Sequence, residues 1–93
     1  YAAPNPFAPS EKTGTRIVYS LERDAEVTIE IFDFASRLVI TLIEGESRAG
    51  GRRHAETWDG ATGGEAVSNG VYLYRLSLNG GEETTFGKVV VLD

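Results

Sequence analysis

The chain has no cysteine and no methionine, and its 93 residues include a single histidine, His54. Without cysteine there are no disulfide bonds, thiolate metal sites or thiol nucleophiles. His54 has no serine or cysteine beside it in a nucleophile-like context, so a catalytic triad lacks its first requirement. No apolar run approaches the length of about 18 residues that a membrane-spanning helix needs. We therefore predict a protein that is not an enzyme, that binds no cofactor and that does not span a membrane.

Positive charge is also scarce, because 9 basic residues stand against 14 acidic ones and the net charge is −5. A nucleic-acid partner is excluded on this ground, since binding to phosphate backbones requires a basic surface. The length corresponds to one small domain. Because residue 1 is tyrosine, we expect the chain to be a processed product or a segment of a longer protein.

Apolar residues recur with a period of two, as in Val27, Ile29 and Ile31, and no stretch has the 3.6-residue period of an amphipathic helix. Turn residues separate these runs every 8–12 residues. The clearest hairpin signal is Asn79-Gly80, and Ala35-Ser36-Arg37 predicts a second tight hairpin. The pattern predicts an all-β, immunoglobulin- or fibronectin-III-like antiparallel β-sandwich of about seven strands with essentially no helix.

All three prolines lie in residues 1–14, which we expect to be an extended arm, with the sandwich formed by residues 15–93. Phe7 is the expected anchor of this arm, either along the edge of the sandwich or on a neighbouring chain. The residues predicted to build the core share aromatic or β-branched side chains on the inward positions of the strands. They are Tyr19, Ile29, Ile31, Trp58, Tyr72 and Tyr74.

Several stretches occur in the order found in one family of secreted modules. They are Pro4-Asn5-Pro6-Phe7, Thr15-Arg16-Ile17-Val18-Tyr19-Ser20-Leu21, Val27 to Asp33 followed by Arg37-Leu38-Val39, Trp58-Asp59-Gly60, Gly70 to Leu76, and Lys88 to Leu92. In this order the chain resembles the type A C-terminal sorting domains of type IX secretion. The same module is known as the immunoglobulin-like domain of the flagellar hook-capping protein. Ser36 stands where the family usually has glycine.

The resemblance implies an extracellular or cell-surface bacterial module that is recognised for export and surface attachment by the secretion machinery. Recognition would fall on the terminal strand, made of Lys88, Val89, Val90, Val91 and Leu92. A strand of this composition is also a candidate edge for pairing with a second chain, although Asn79-Gly80 favours its pairing with the Tyr72–Leu78 strand. The alternative function is a structural subunit of an extracellular assembly or filament, like a hook cap. Its copies would associate through edge strands or through the N-terminal arm.

Three further groups are candidate sites. Acidic residues near turns could supply oxygen ligands to Ca²⁺, and they are Asp24, Asp33, Glu44, Glu46 and Asp59. The one basic cluster could meet an anionic partner or be a solvated hairpin tip, and it comprises Arg48, Arg52, Arg53 and His54. The aromatic residues could form a platform for sugars, as in carbohydrate-binding modules, or belong to the core, and they are Phe32, Phe34, Trp58, Tyr72 and Tyr74.

Overall fold

The computed structural model describes all of residues 1–93, and it contains nine strands and one short 3-10 turn, Pro9–Glu11. The strands are β1 (Ala2–Ala3), β2 (Thr15–Leu21), β3 (Ala25–Phe32), β4 (Leu38–Arg48), β5 (Arg52–Trp58), β6 (Ala61–Thr62), β7 (Glu65–Ala66), β8 (Gly70–Leu78) and β9 (Glu83–Val91). Seven of them form two antiparallel sheets, ordered β1-β2-β5 and β4-β3-β8-β9. Strands β6 and β7 form a separate two-residue hairpin. The predicted all-β sandwich is confirmed.

The inward side chains of the four-stranded sheet follow the predicted alternation. Val27, Ile29 and Ile31 of β3 are fully buried, while Thr28 and Glu30 between them remain partly exposed. Strand β8 behaves in the same way, with Tyr72, Tyr74 and Leu76 turned inward. Each sheet thus has one apolar face, and burying these two faces against each other provides most of the stabilising free energy.

Trp58 lies at the centre of an aromatic cluster that joins the two sheets. Its ring is 1% exposed and meets Phe7 and Tyr72 edge-on, at centroid distances of 5.7 and 5.6 Å. The indole N–H donates to the carbonyl of Ala61 at 3.1 Å, so its burial leaves no polar atom unpaired. Opposite Tyr74, β9 carries Gly87, where a Cβ would lie only 2.2 Å from the tyrosine ring. Glycine is required there because the ring occupies the space of a side chain.

Both predicted hairpins are confirmed. Asn79 and Gly80 have φ angles of 51° and 75° and connect β8 to β9 over nine consecutive residue pairs. Ser36, where glycine would be easier to accommodate, has a φ of 66° in the β3–β4 turn. This turn is held by Asp33, whose carboxylate accepts the backbone N–H groups of Ala35 and Arg37, each at 2.9 Å.

Strand β4 departs from simple alternation. A period of two would place Leu38 and Ile40 on one face, but Leu38 pairs with the outward Phe32 and Ile40 with the inward Ile31. The alternation fails here because the β3–β4 ladder contains three register shifts, one of them between Ile31 and Phe32. Leu38 is consequently 53% exposed.

Candidate functional site

The side chain of Asn5 pairs with the outer edge of β9 as a neighbouring strand would. Its amide nitrogen donates to the carbonyl of Lys88, and its amide oxygen accepts the N–H of Val90, each at 2.8 Å. An amide carries a donor and an acceptor with the spacing of a peptide group, so one side chain replaces one residue of a strand. Two peptide bonds of this segment, Ala3-Pro4 and Asn5-Pro6, are cis.

Phe7 continues this pairing through its backbone. Its N–H donates to the carbonyl of Val90 and its carbonyl accepts the N–H of Leu92, both at 3.0 Å. The ring is 4% exposed and fills the space between β9 and Trp58. We call Asn5, Pro6 and Phe7 the N-terminal clamp, because together they occupy the edge of β9 from Lys88 to Leu92.

The rest of residues 1–14 is attached to the sandwich as well. Strand β1 pairs with β2, and the N–H of Val18 donates to the carbonyl of Tyr1 at 2.7 Å. Ser10 donates its hydroxyl and backbone N–H to the carboxylate of Asp93. These contacts within the chain hold the segment along the edge of the sandwich, which is one of the two anchors expected for it.

The five residues expected to carry recognition have different surroundings. Val89 and Val91 are buried at 0% and 1%, because they face the core. Val90 is half-buried, and only Lys88 and Leu92 are exposed. This part of β9 pairs with β8 on one side, as predicted, and with the N-terminal clamp on the other. It is therefore not a free edge for a second chain.

The clamp covers only half of β9. The backbone groups of Lys88 and Val90 that bond the clamp lie on the outer edge, and backbone groups alternate between the two edges of a strand. The N–H and C=O groups of Thr84 and Phe86 therefore point to the same outer edge, where β9 is the last strand of its sheet. Phe86 is 63% exposed there. We call residues 84–86 the open edge.

The basic cluster is not a hairpin tip, because β4 and β5 belong to different sheets. Arg48, at the end of β4, forms an ion pair with Glu56 of β5, with the guanidinium Nε 2.9 Å from Oε2. His54 stacks on Tyr19 at a centroid distance of 5.4 Å and meets the carbonyl of Ala49 at 2.7 Å. Arg52 and Arg53 are exposed. The four residues thus do not converge on a common anion site.

Tyr19, expected in the core, packs against it and also belongs to a polar cluster with Glu56 and Arg48. It is half-buried, and its hydroxyl donates to Glu56 Oε2 at 2.7 Å. Burial and this hydrogen bond raise the pKa of Tyr19 far above its ordinary value. Burial by itself would raise the pKa of Glu56, but the hydrogen bonds from Arg48 and Tyr19 and the charge of Arg48 outweigh it and lower that pKa. The cluster holds Glu56 ionised and joins the two sheets.

The acids considered as Ca²⁺ ligands have separate positions in turns. The carboxylates of Asp24 and Asp59 accept the backbone N–H groups of Gly50 and Ala61, at 2.8 and 2.9 Å. Asp33 holds the β3–β4 turn and pairs with Arg37 at 2.9 Å. Glu44 and Glu46 are exposed on β4. No three acidic or histidine side chains come together in an arrangement that could hold a metal ion.

The five aromatic residues considered for a sugar platform do not form one. Trp58, Tyr72 and Tyr74 are buried, at 1%, 7% and 5% exposure. Phe32 lies on the outer face, where its ring is covered by the guanidinium of Arg75 at 4.8 Å. Phe34, at 79% exposure, stands apart in the β3–β4 turn. Residue type alone suggested a common surface, but three of these side chains lie in the core and the other two lie apart outside it.

The largest concavity is an open groove of about 750 Å³ between the β3–β4 turn and the segment leading into β8. Two of its polar side chains, Tyr72 and Thr62, already have partners within the chain. The hydroxyl of Tyr72 donates to the carbonyl of Ser68 at 2.6 Å, and Thr62 donates to the carbonyl of Val39 at 2.9 Å. These contacts fix the walls of the groove.

A solved structure is similar to this chain over its whole length. No protein-family model matches the chain, and no curated protein matches it. The chain is similar in structure to part of PorZ, described as an essential bacterial surface component of the type IX secretion system of Porphyromonas gingivalis, a human oral bacterium. The TM-score is 0.71 at 20% sequence identity, and the match covers 100% of this chain but 11% of PorZ. This likeness shows the fold, and the chain spans about one-ninth of the length of that protein. None of its helical segments is long and apolar enough to cross a membrane.

Proposed function

We propose that this chain is a non-enzymatic surface module of type IX secretion, acting as a sorting and attachment domain for the polypeptide that carries it. The observation that carries the proposal is the structural likeness to part of PorZ over the whole of this chain. The ordered motifs from Pro4-Asn5-Pro6-Phe7 to Lys88–Leu92 support the same assignment, because they resemble the family of sorting domains.

The geometry suggests what a secretion component would recognise. Residues 88–92 are held between β8 and the N-terminal clamp, so they are not a free strand. What remains accessible is a composite surface, made by the exposed residues Lys88 and Leu92 of the terminal strand and the exposed residues Asn5 and Pro6 of the clamp that pairs with it. Because the two parts come from opposite ends of the chain, this surface exists only in the folded domain. The proposed recognition is therefore of a folded module.

The absence of enzymatic activity is part of the proposal. His54 contacts the ring of Tyr19 and the carbonyl of Ala49, and neither is a nucleophile that it could activate. Glu56 is ionised and held by Arg48 and Tyr19, so it does not share the pKa pattern of a general acid. These contacts of His54 and Glu56 support the proposal that the chain is not an enzyme.

The test is to fuse residues 1–93 to the C-terminus of a periplasmic reporter in a host that has type IX secretion. We expect the reporter on the cell surface or in the medium, and in the periplasm of the same host without the secretion pore. A Lys88→Glu variant, which changes the composite surface without touching the core, should reduce delivery. Lys12→Glu, an exposed change outside that surface, is the matched control. Periplasmic retention of a folded wild-type fusion, while an established sorting domain is delivered, contradicts the proposal.

A further inference from the structure

We propose that residues 1–11 exchange between two copies of this chain, so that the N-terminal segment of each copy binds the sandwich of the other. Residues 12–14, which connect the segment to β2, are the hinge, and residues 15–93 form the seat. In the closed form a copy binds its own segment, and in the exchanged form two copies bind each other's. This proposal is independent of the role in secretion, since it rests on the contacts of the segment and the hinge.

The first argument is that the seat consists of elements distant in sequence from the segment. Strand β1 pairs with β2, and Asn5 and Phe7 pair with β9. Phe7 and Pro9 also pack over Gly60, where a Cβ would lie 3.0 Å from the phenyl ring and 2.6 Å from the proline ring. All of these partners lie in residues 15–93. A second copy therefore presents the same seat, and each contact can form between copies as well as within one.

The second argument is that the closed form requires a short hinge in a conformation that favours glycine. Lys12 has a φ of 63° and Gly14 a φ of 70°. Because Lys12 is not glycine, its left-handed backbone is strained. At Gly14 a Cβ would lie 2.7 Å from the backbone oxygen of Trp58, so the hinge turns tightly against the sandwich. An extended hinge in the exchanged form relieves this strain, and short strained hinges favour the exchange of segments between copies.

The third argument is that few contacts tie the segment to its own copy alone. One backbone hydrogen bond joins the hinge to the segment, from the N–H of Lys12 to the carbonyl of Pro9 at 3.0 Å. The hydroxyl of Thr15 donates to the carbonyl of Pro4 at 2.8 Å, but Thr15 belongs to β2 and can make the same bond to the segment of another copy. The two forms thus differ in the hinge and in the entropy of association, so the protein concentration decides between them.

The exchange has a consequence for the composite surface. In the exchanged form, Asn5 and Pro6 come from one copy, and the terminal strand from Lys88 to Leu92 comes from the other. The dimer carries two such surfaces, and each is incomplete without the partner copy. A copy of this chain is then the neighbouring chain that was expected as the other anchor of the N-terminal arm.

The experiment makes use of the absence of cysteine. In the double variant Ser10→Cys with Asp93→Cys, two thiols replace side chains that are in contact between the segment and its seat. The unfolded variant is refolded at about 10 μM and at about 1 mM, below and at the effective concentration of a short linker, then oxidised and run on a non-reducing gel. We expect an internal disulfide at the low concentration and disulfide-linked dimers at the high one. Ser77→Cys with Thr84→Cys, a pair on adjacent strands of the seat, is the matched control and should form internal disulfides at both concentrations.

The hinge has its own test by a change of length. A Gly-Gly-Gly insertion between Lys12 and Thr13 relieves the strain of the closed form and should lower the dimer fraction by about tenfold or more. The same insertion between Gly80 and Gly81, in the β8–β9 turn, is the matched control and should leave the dimer fraction unchanged. Circular dichroism checks that both insertion variants fold. Internal disulfides alone at about 1 mM with the wild-type hinge overturn the proposal, as does a dimer fraction that the hinge insertion leaves unchanged.

Discussion

The two sheets are joined at two places by different chemistry. At the first, which we call the aromatic end, the rings of Phe7, Trp58 and Tyr72 pack edge-on in a buried cluster. At the second, which we call the polar end and which uses β5 two residues before Trp58, Arg48 of one sheet binds Glu56 of the other in a polar cluster that is only partly shielded from water. The aromatic end gains its stability from buried area, whereas the polar end depends on ionisation. A sandwich without disulfide bonds can therefore hold its two sheets together both by buried aromatic contacts and by an ion pair between the sheets.

The aromatic end should carry the larger share of stability, and replacing Trp58 by alanine tests this. Removing a fully buried indole leaves a cavity and should lower the free energy of unfolding by about 3–5 kcal/mol. Phe34→Ala is the control, because Phe34 is 79% exposed and should have almost no effect. Urea denaturation of the two variants provides the comparison. Equal effects would show that the aromatic cluster is not the main junction.

The polar end should contribute less to the free energy of unfolding than the aromatic end. Glu56→Gln keeps an acceptor for Tyr19 but removes the charge that Arg48 meets, and it should cost about 1–2 kcal/mol. Glu46→Gln, an exposed change on β4, is the control and should leave the urea midpoint unchanged. A cost as large as that of Trp58→Ala would reverse the ranking of the two ends.

The N-terminal clamp belongs to the aromatic end, and Asn5→Ala separates its hydrogen bonds from the packing of Phe7. Loss of the amide frees the carbonyl of Lys88 and the N–H of Val90 to water, at a cost of about 1 kcal/mol. Hydrogen exchange followed by NMR should show faster exchange at Val90, and no change at Val89, which faces β8. Unchanged exchange at Val90 would mean that the amide contributes nothing to the edge.

The pH dependence is the smallest expected effect and distinguishes the two ends directly. The pKa of Glu56 in the folded chain lies below its ordinary value of 4.5. The stability that it contributes is therefore present above pH 4.5 and is lost as the pH falls through the lowered value. Wild type should lose more stability than Glu56→Gln between neutral and acidic pH, as measured by urea denaturation at each pH. Parallel curves would remove the ionic role of Glu56.

The fold was predictable because its signals are local. Alternation marked the strands, Asn79-Gly80 marked the hairpin, and the type of Trp58 marked a core position. The clamp was not predictable in this way, because Asn5 replaces backbone pairing with a side chain and leaves no periodic pattern. Its partner, Val90, is 85 residues away. Proline content indicated only that the segment is extended.

Charge and residue type predicted the candidate sites less well than alternation predicted the strands. Arg48 and Arg52 are close in the sequence, but the chain passes from one sheet to the other between them. Tyr19 packs against the core as its alternation predicts, but the sequence does not show that its hydroxyl donates to Glu56 on the adjacent strand. Both outcomes depend on which strands become neighbours, and a single sequence pattern does not carry that information.

The contact between the N-terminal clamp and β9 has a consequence for the order of assembly. The backbone of Phe7 bonds Val90 and Leu92, and its ring packs in the same core cluster as Val89 and Val91. A nascent chain therefore cannot complete its core before nearly all of it has been synthesised. Contacts of such high sequence separation slow folding, because a long loop must close before they form. The domain should remain open and extended through most of its synthesis, and a chain cut before β9 should lack the cooperative unfolding transition of the whole.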